Sequence, residues 1–324
     1  MNYTRTVDLP VSADEAFELV TQPERLRRWQ AVTAYVDLRA GGDFRWTVTP
    51  GNHAAGTVHE VEPGRRVVLG FGWEGSDNLL PDASTVTITI EPTAAGSRVV
   101  LVHEGLDEAQ AAAHAEGWNH FLDRLERVAA SGDAGPDEWA WVPEVLDPIT
   151  AAEASLAVLQ PILRGLTDED KVKQTPCADF DCHALAEHLF GSLVGVGAMA
   201  GATVTNPEEG SLENRISVMA DQAITAWRHY DGDMSVDGKV PAAVAQAILS
   251  IELLLHGWDF AQASGQQVHV SDELVAYVRE IGTPVIDSVR PKGEFAAAVP
   301  ADGMSALDAF AAFSGRTPLA AVPA

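Results

Sequence analysis

Along the first 130 residues the hydrophobic pattern changes period twice. RTVDLPV alternates apolar and polar positions, as a half-buried strand does. SADEAFELVT then takes helical spacing, and Ser12 with Glu15 three residues later reads as a capping box opening that helix. After Pro23 the alternation returns in AVTAYVDL, DFRWTVT, GTVHEVE, RVVLGFGW, STVTITIE and SRVVLVHE. Gly41-Gly42, Pro50-Gly51, Pro63-Gly64 and Ala95-Gly96 separate these runs as turns do. From Asp107 to Ala130 the period is helical again, with Trp118, Phe121, Leu122 and Leu125 on one stripe. This order predicts an α+β domain: one antiparallel sheet wrapped on a long C-terminal helix.

The next segment, SGDAGPDEWAWVPEV, is rich in Gly, Pro and acid and reads as a linker. The expected division is therefore a domain over 1–130, a linker over 131–147 and a second domain over 148–324. ITAAEASLAVLQPILRGL, CHALAEHLFGSLVGVGAMAG, ENRISVMADQAITAWRHY and PAAVAQAILSIELLLHGWDFAQASG predict an all-α four-helix bundle. Beyond it a small C-terminal extension is expected to hold a helix around SDELVAYVREIG and a short strand near GEFAAAVP. The two halves share no internal repeat.

Length and composition agree with this division. The 324 residues suit about two domains at roughly 100–200 residues each. With 46% hydrophobic and 21% charged residues the chain has a globular composition. Its net charge of −26 would repel a phosphate backbone, which argues against nucleic acid and against an anionic membrane surface. No apolar run approaches 18 residues, and the start MNYTRTVDLP lacks the regions of a signal peptide. Cys177 and Cys182 are too few for a disulfide framework, and one C-x4-C pair is a poor zinc signature. A reduced, cytoplasmic protein is expected.

The sharpest chemical signal is Glu252-Leu-Leu-Leu-His256. Residues four apart share a helix face, so a carboxylate and an imidazole can reach one point. Both are ligands for zinc and other borderline divalent metals. The surrounding IELLLHGWDFA is apolar, and burying a lone Glu there would cost several kcal/mol without a partner or a cation. A Glu–His pair on the wet side of the helix is the alternative. His188 adds a third candidate ligand from another helix, and three ligands leave open positions, as in catalytic rather than structural zinc sites. A satisfied core histidine is the alternative there. Asp259 can serve as acceptor for an imidazole N–H, and Arg316 as partner of a substrate carboxylate or of a structural acid. Those two are the weak catalytic candidates. Cys177 precedes a helix whose N-terminus can favour a thiolate, or is simply a small buried residue. His183 is expected at the surface.

TPCADFDCHALAEHLFG, SIELLLHGWDFAQASG and VPADGMSALDAFAAFSGRTP, in that order, resemble the DinB-like metal-binding family that includes mycothiol-dependent maleylpyruvate isomerase. Within it they are similar to an actinobacterial metal-binding subgroup, over about residues 148–320. The resemblance implies a divalent metal held by His188, Glu252 and His256, with zinc first and nickel or iron behind it. It also implies mycothiol or another low-molecular-weight thiol as co-substrate.

VDLPVSADEAFELVTQPERLRRW, VDLRAGGDFRWTV, GTVHEVEPGRRVVLGFGWE, STVTITIEPTAAGSRVVLVHEGL and HAEGWNHFLDRLERV resemble the START-related helix-grip (SRPBCC) superfamily. The similarity is to the branch of heat-shock ATPase-activator homologues, near the polyketide cyclases. It implies a cavity between sheet and helix, for which Trp46, Phe71, Trp73 and Trp118 are candidate lining residues. Gly72 is the expected position for filling it. His103, Glu104, His114 and His120 are expected at the surface.

The reading that follows is a metal-dependent isomerase or thiol transferase acting on a small organic substrate, with a homodimer as the expected assembly. Two alternatives stand beside it. One is a small-molecule-binding protein with a structural or sensory metal; the other is a helix-grip natural-product cyclase.

Overall fold

The computed structural model describes residues 2–319. They divide into two compact units, Met1–Pro136 and Asp137–Ala324.

The first unit is a seven-stranded antiparallel sheet with helices. Strands β1 (Tyr3–Leu9), β2 (Thr33–Val36), β3 (Asp43–Thr49), β4 (Asn52–Glu62), β5 (Arg66–Trp73), β6 (Ser84–Thr93) and β7 (Gly96–Glu104) lie in the order β1-β7-β6-β5-β4-β3-β2. Every run read as alternating is a strand. Register shifts between Thr47 and Thr49 and between Val58 and Glu60 put bulges in β3 and β4, which increase the local twist. Helices α1 (Ala13–Thr21) and α2 (Pro23–Leu26) fill the long crossing from β1 to β2. The Ser12 side chain accepts from the Glu15 amide at the start of α1, one of the two bonds of the expected capping box. Helix α3 (Glu108–Ser131) opens on a reciprocal Asp107–Gln110 capping box and ends at Gly132 in the left-handed region, φ +83°. Its Trp118, Phe121, Leu122, Leu125 and Val128 enter the same core as the inward faces of the strands. That is a helix-grip arrangement.

The second unit is helical: α4 (Pro148–Gly165), α5 (Cys182–Met199), α6 (Leu212–Arg228), α7 (Ala242–Ser264), α8 (Asp272–Val289) and α9 (Ala306–Phe313). α7 packs against α4, α5 and α8, which covers it on nearly every side. A helix that is apolar all round is a buried one, and α7 is buried from Leu253 through Ala261 without a break. The polar Glu252, His256 and Asp259 are thus carried by the most enclosed helix of the unit.

One expectation needs correction. Residues 293–300 form no strand, and the chain there runs irregularly to Ser305, which caps α9 through the Asp308 amide. The segment read as a linker is also anchored at both ends. Ala134 is buried in the core of the first unit and Trp141 in that of the second. Arg124 and Arg127 donate to carbonyls of residues 134–136. Two cationic side chains hold what Gly and Pro alone would leave loose. Among the described residues no helix is long and apolar enough to cross a membrane.

Candidate functional site

In the second unit, His188 of α5 meets Glu252 and His256 of α7. One donor atom from each lies within 4.8 Å of the others. Glu252 Oε2 is 3.3 Å from His188 Nε2 and 3.5 Å from His256 Nε2. That oxygen is buried and makes no hydrogen bond of its own. Exposure grades outward, with side chains 6% exposed at His256, 16% at Glu252 and 37% at His188, so the cluster opens to solvent through His188. The ring of Phe180 stacks on His188 at 5.0 Å, and the two imidazoles meet edge to face at 5.2 Å.

Behind His256 stands a buried polar chain. Asp259, one helical turn on, accepts from His256 Nδ1 at 2.9 Å. Arg316 then closes on Asp259, with Nε 2.9 Å from both carboxylate oxygens and Nη2 2.9 Å from Oδ2. Arg316 also donates to Ser314. The Asp259 bond puts a proton on Nδ1 and turns Nε2 toward Glu252. Burial opposes charge at all these groups. The neighbouring imidazole nevertheless pulls the Glu252 carboxyl below its ordinary range, and Glu252 and Asp259 raise His256. Arg316 holds Asp259 ionised. Arg316 therefore sits in a buried ion pair with Asp259. Cys177 is no activated thiol: burial pushes it up to about 11, despite the pull of Arg316. His183 is exposed, as its position predicts.

The first unit holds a cavity of about 190 Å³ between sheet and α3. Phe71, Trp73 and Trp118 line it, while Trp46 does not: it is 1% exposed, packed 4.7 Å from Phe44 in the core. Gly72 is also turned away. A Cβ there would meet the Leu80 carbonyl oxygen at 1.9 Å, so the wall opposite the cavity leaves no room for one. Gly72→Ala is expected to lower the urea midpoint, with a cost of about 1–3 kcal/mol from overpacking. It should not change the cavity.

The histidines are where sequence reading fell short. His103 is 0% exposed, and His114 lines the cavity. Trp118 Nε1 donates to His103 Nδ1 at 3.1 Å, so His103 Nε2 carries the proton and donates to Ser84 Oγ at 2.8 Å. Ser84 in turn donates to the Phe71 carbonyl. His114 takes the other tautomer: Nδ1–H donates to the Gln110 carbonyl at 2.7 Å, and Nε2 accepts from Trp73 Nε1 at 3.0 Å. Burial, with the charge of His114 adding to it, lowers His103 to about 3; burial lowers His114 as well. Both rings are neutral and fully hydrogen-bonded, so neither is free to act as a base. Their positions were legible. His103 continues the inward series Val99, Leu101, and His114 precedes Trp118 by one turn of α3.

Three comparisons bear on these units. An uncharacterized protein of Mycobacterium tuberculosis is 28% identical over 138 residues, covering 40% of this chain and 74% of that one. The solved structure of DynU16, a protein of the dynemicin biosynthetic locus, is 21% identical with a TM-score of 0.39; the match covers 45% of this chain and 56% of DynU16. An AHSA1-like protein of Rhizobium etli, solved by NMR, is 33% identical with a TM-score of 0.36, over 45% of this chain and 89% of that one. Residues 10–130 match the family model described as Activator of Hsp90 ATPase homolog 1-like protein, and the first unit is an AHSA1-like helix-grip domain.

Proposed function

We propose that the second unit is a metal-dependent catalytic centre. In this reading His188, Glu252 and His256 hold a divalent ion, zinc first and nickel or iron after it, and α4 to α7 form a DinB-like four-helix bundle. The observation that carries the reading is the orphaned Glu252 Oε2, buried without a hydrogen bond and equidistant, within 0.2 Å, from two imidazole nitrogens. Donors bonded at about 2.0–2.1 Å to one tetrahedral centre lie roughly 3.3 Å apart, which matches the observed separations of 3.3 and 3.5 Å. The Asp259 acceptor behind His256 is the kind of partner that metal-bound imidazoles have.

A divalent ion held there by His188, Glu252 and His256 would supply a Lewis acid able to acidify a thiol or a water. The residues of the chain do the rest. Asp259 and Arg316 keep the His256 ring in one orientation and one tautomer. The enclosed α7 keeps bulk water from His256 and Glu252, and the half-exposed His188 leaves the cluster open to a small organic substrate and a thiol of the mycothiol type. Isomerisation or thiol transfer is the reaction class this favours.

The test is elemental analysis of protein purified without chelator. One divalent ion per chain is expected, falling at least tenfold in His188→Ala and in Glu252→Gln while far-UV circular dichroism is unchanged. Absence of stoichiometric metal, or a content indifferent to both changes, would overturn the reading. Thiol consumption with small electrophiles then assays the reaction.

A further inference from the structure

The middle of α5 carries a hydroxyl that the helix itself does not use. Serines inside a helix commonly turn back on the carbonyl four residues earlier. Ser155 of α4 does so to Ala151 at 2.7 Å, and Ser264 of α7 to Phe260 at 2.8 Å. Ser192 makes no such bond among the described residues. One turn after His188 and on the same face, it points its Oγ at the cluster, 3.5 Å from His188 Nε2. That is a hydrogen bond at its longest. The same hydroxyl helps to keep the Glu252 carboxyl ionised.

The turn that bears Ser192 is also uncovered. Gly191 and Gly195 flank it, both are exposed, and a Cβ at either would meet no atom within 4 Å. Each glycine costs a helix interior about 0.5–1 kcal/mol against Ala. Packing demands Gly197, where a Cβ would meet the Val204 side chain at 2.3 Å, but demands neither of the other two. Bare backbone beside Ser192 leaves room for a ligand to come against the helix. Phe180, by contrast, shields one face of the His188 ring.

We propose that Ser192 is the hydrogen-bond donor to the fourth ligand of the metal centre and selects an anion there, thiolate or hydroxide, over a neutral nitrogen base. The assignment rests on the metal reading above. Once His188 Nε2 serves as a ligand its lone pair is spent, and the Ser192 hydrogen needs another acceptor. A thiol entering the open position binds as its thiolate and releases its proton to solvent. Its sulfur keeps lone pairs that accept from Ser192 Oγ. An imidazole bound through one nitrogen has only an N–H left and offers the hydroxyl nothing.

The full chain loaded with Co(II) tests this at pH 7, with equilibrium dialysis for the metal and absorption spectra for the fourth ligand. Wild type and Ser192→Ala should take up one Co(II) per chain with equal affinity. Ala is the better helix former, so the variant keeps α5. 2-Mercaptoethanol should bind Ser192→Ala about tenfold more weakly, the worth of one hydrogen bond to a charged acceptor. Imidazole should bind both proteins equally, and Ser192→Thr, which keeps the hydroxyl, should restore the thiol affinity. Equal thiol affinity in wild type and Ser192→Ala overturns the proposal and leaves the metal centre standing. So does a parallel loss of imidazole binding, or a loss of Co(II) confined to Ser192→Ala. Failure of the wild-type chain to take up Co(II) overturns the metal centre itself, and this assignment with it.

Discussion

Lowering the pH from 7 to 4 is expected to remove roughly 3 kcal/mol from the stability of the first unit through His103 alone. The folded ring titrates at about 3, against an ordinary value of 6.5 for an unfolded chain. Between those values the unfolded chain binds a proton that the folded one refuses. The contribution is therefore complete above pH 6.5 and lost progressively as pH falls toward 3. Refusal has a structural source: at 0% exposure a charged imidazole would lose its water, and protonating Nδ1 would break the bond from Trp118. Hydrogen exchange read on peptides of β6 and β7 measures it, because those strands carry Ser84 and His103. After correction for intrinsic rates, wild-type protection should fall about 100-fold from pH 7 to pH 4. His103→Gln keeps a donor and an acceptor without the titration, and its protection should fall much less. Equal slopes in the two proteins would remove His103 from the account.

Arg316→Met should cost the second unit about 3–5 kcal/mol, because it strands the Asp259 carboxylate at 0% exposure without its cation. Asp259→Leu alone strands the guanidinium instead. The pair together is a different matter. Replacing both members of a buried ion pair with apolar groups of similar size is often nearly neutral. The double variant should therefore recover most of either single loss, and urea unfolding of the four proteins gives the coupling directly. Additive losses would show that the two charges are solvated independently. The double variant also separates stability from chemistry. His256 then has no acceptor for Nδ1–H, and any metal affinity should drop about 10–100-fold in a chain that still folds.

Most of the architecture was written in periodicity. Strands of period two bounded by Gly and Pro turns gave the sheet, and the Trp118–Phe121–Leu122–Leu125 stripe gave α3. The cluster was legible for a related reason: Glu252 and His256 are one turn apart, and an acid inside IELLLHGWDFA demanded a partner. What escaped depended on contacts remote in sequence. α9 was missed because eight residues carry little periodic signal; it is marked by the Ser305 cap and held by Trp258 bonding Asp308. Gln30 lies in a turn with no period, so nothing local announces that it lines a cavity. His103 and His114 were readable from their faces and were misjudged because histidine is usually a surface residue. Within the linker, Gly and Pro signal a freedom that the bonds from Arg124 and Arg127 take away.

The Asp259–Arg316 bond spans 57 residues, and that interval is also a span of time. On a ribosome adding roughly 5–20 residues per second, Asp259 exists for about 3 to 11 seconds before Arg316 is made. During that wait, closing the interior of the unit over α7 would seal in a carboxylate that has His256 as a donor but lacks its cation. The nascent helices therefore stay hydrated around Asp259 until the segment after α9 arrives. Burial of the most enclosed helix thus waits on one of its two acids, and a contact made late in synthesis is the one that permits the core to dry.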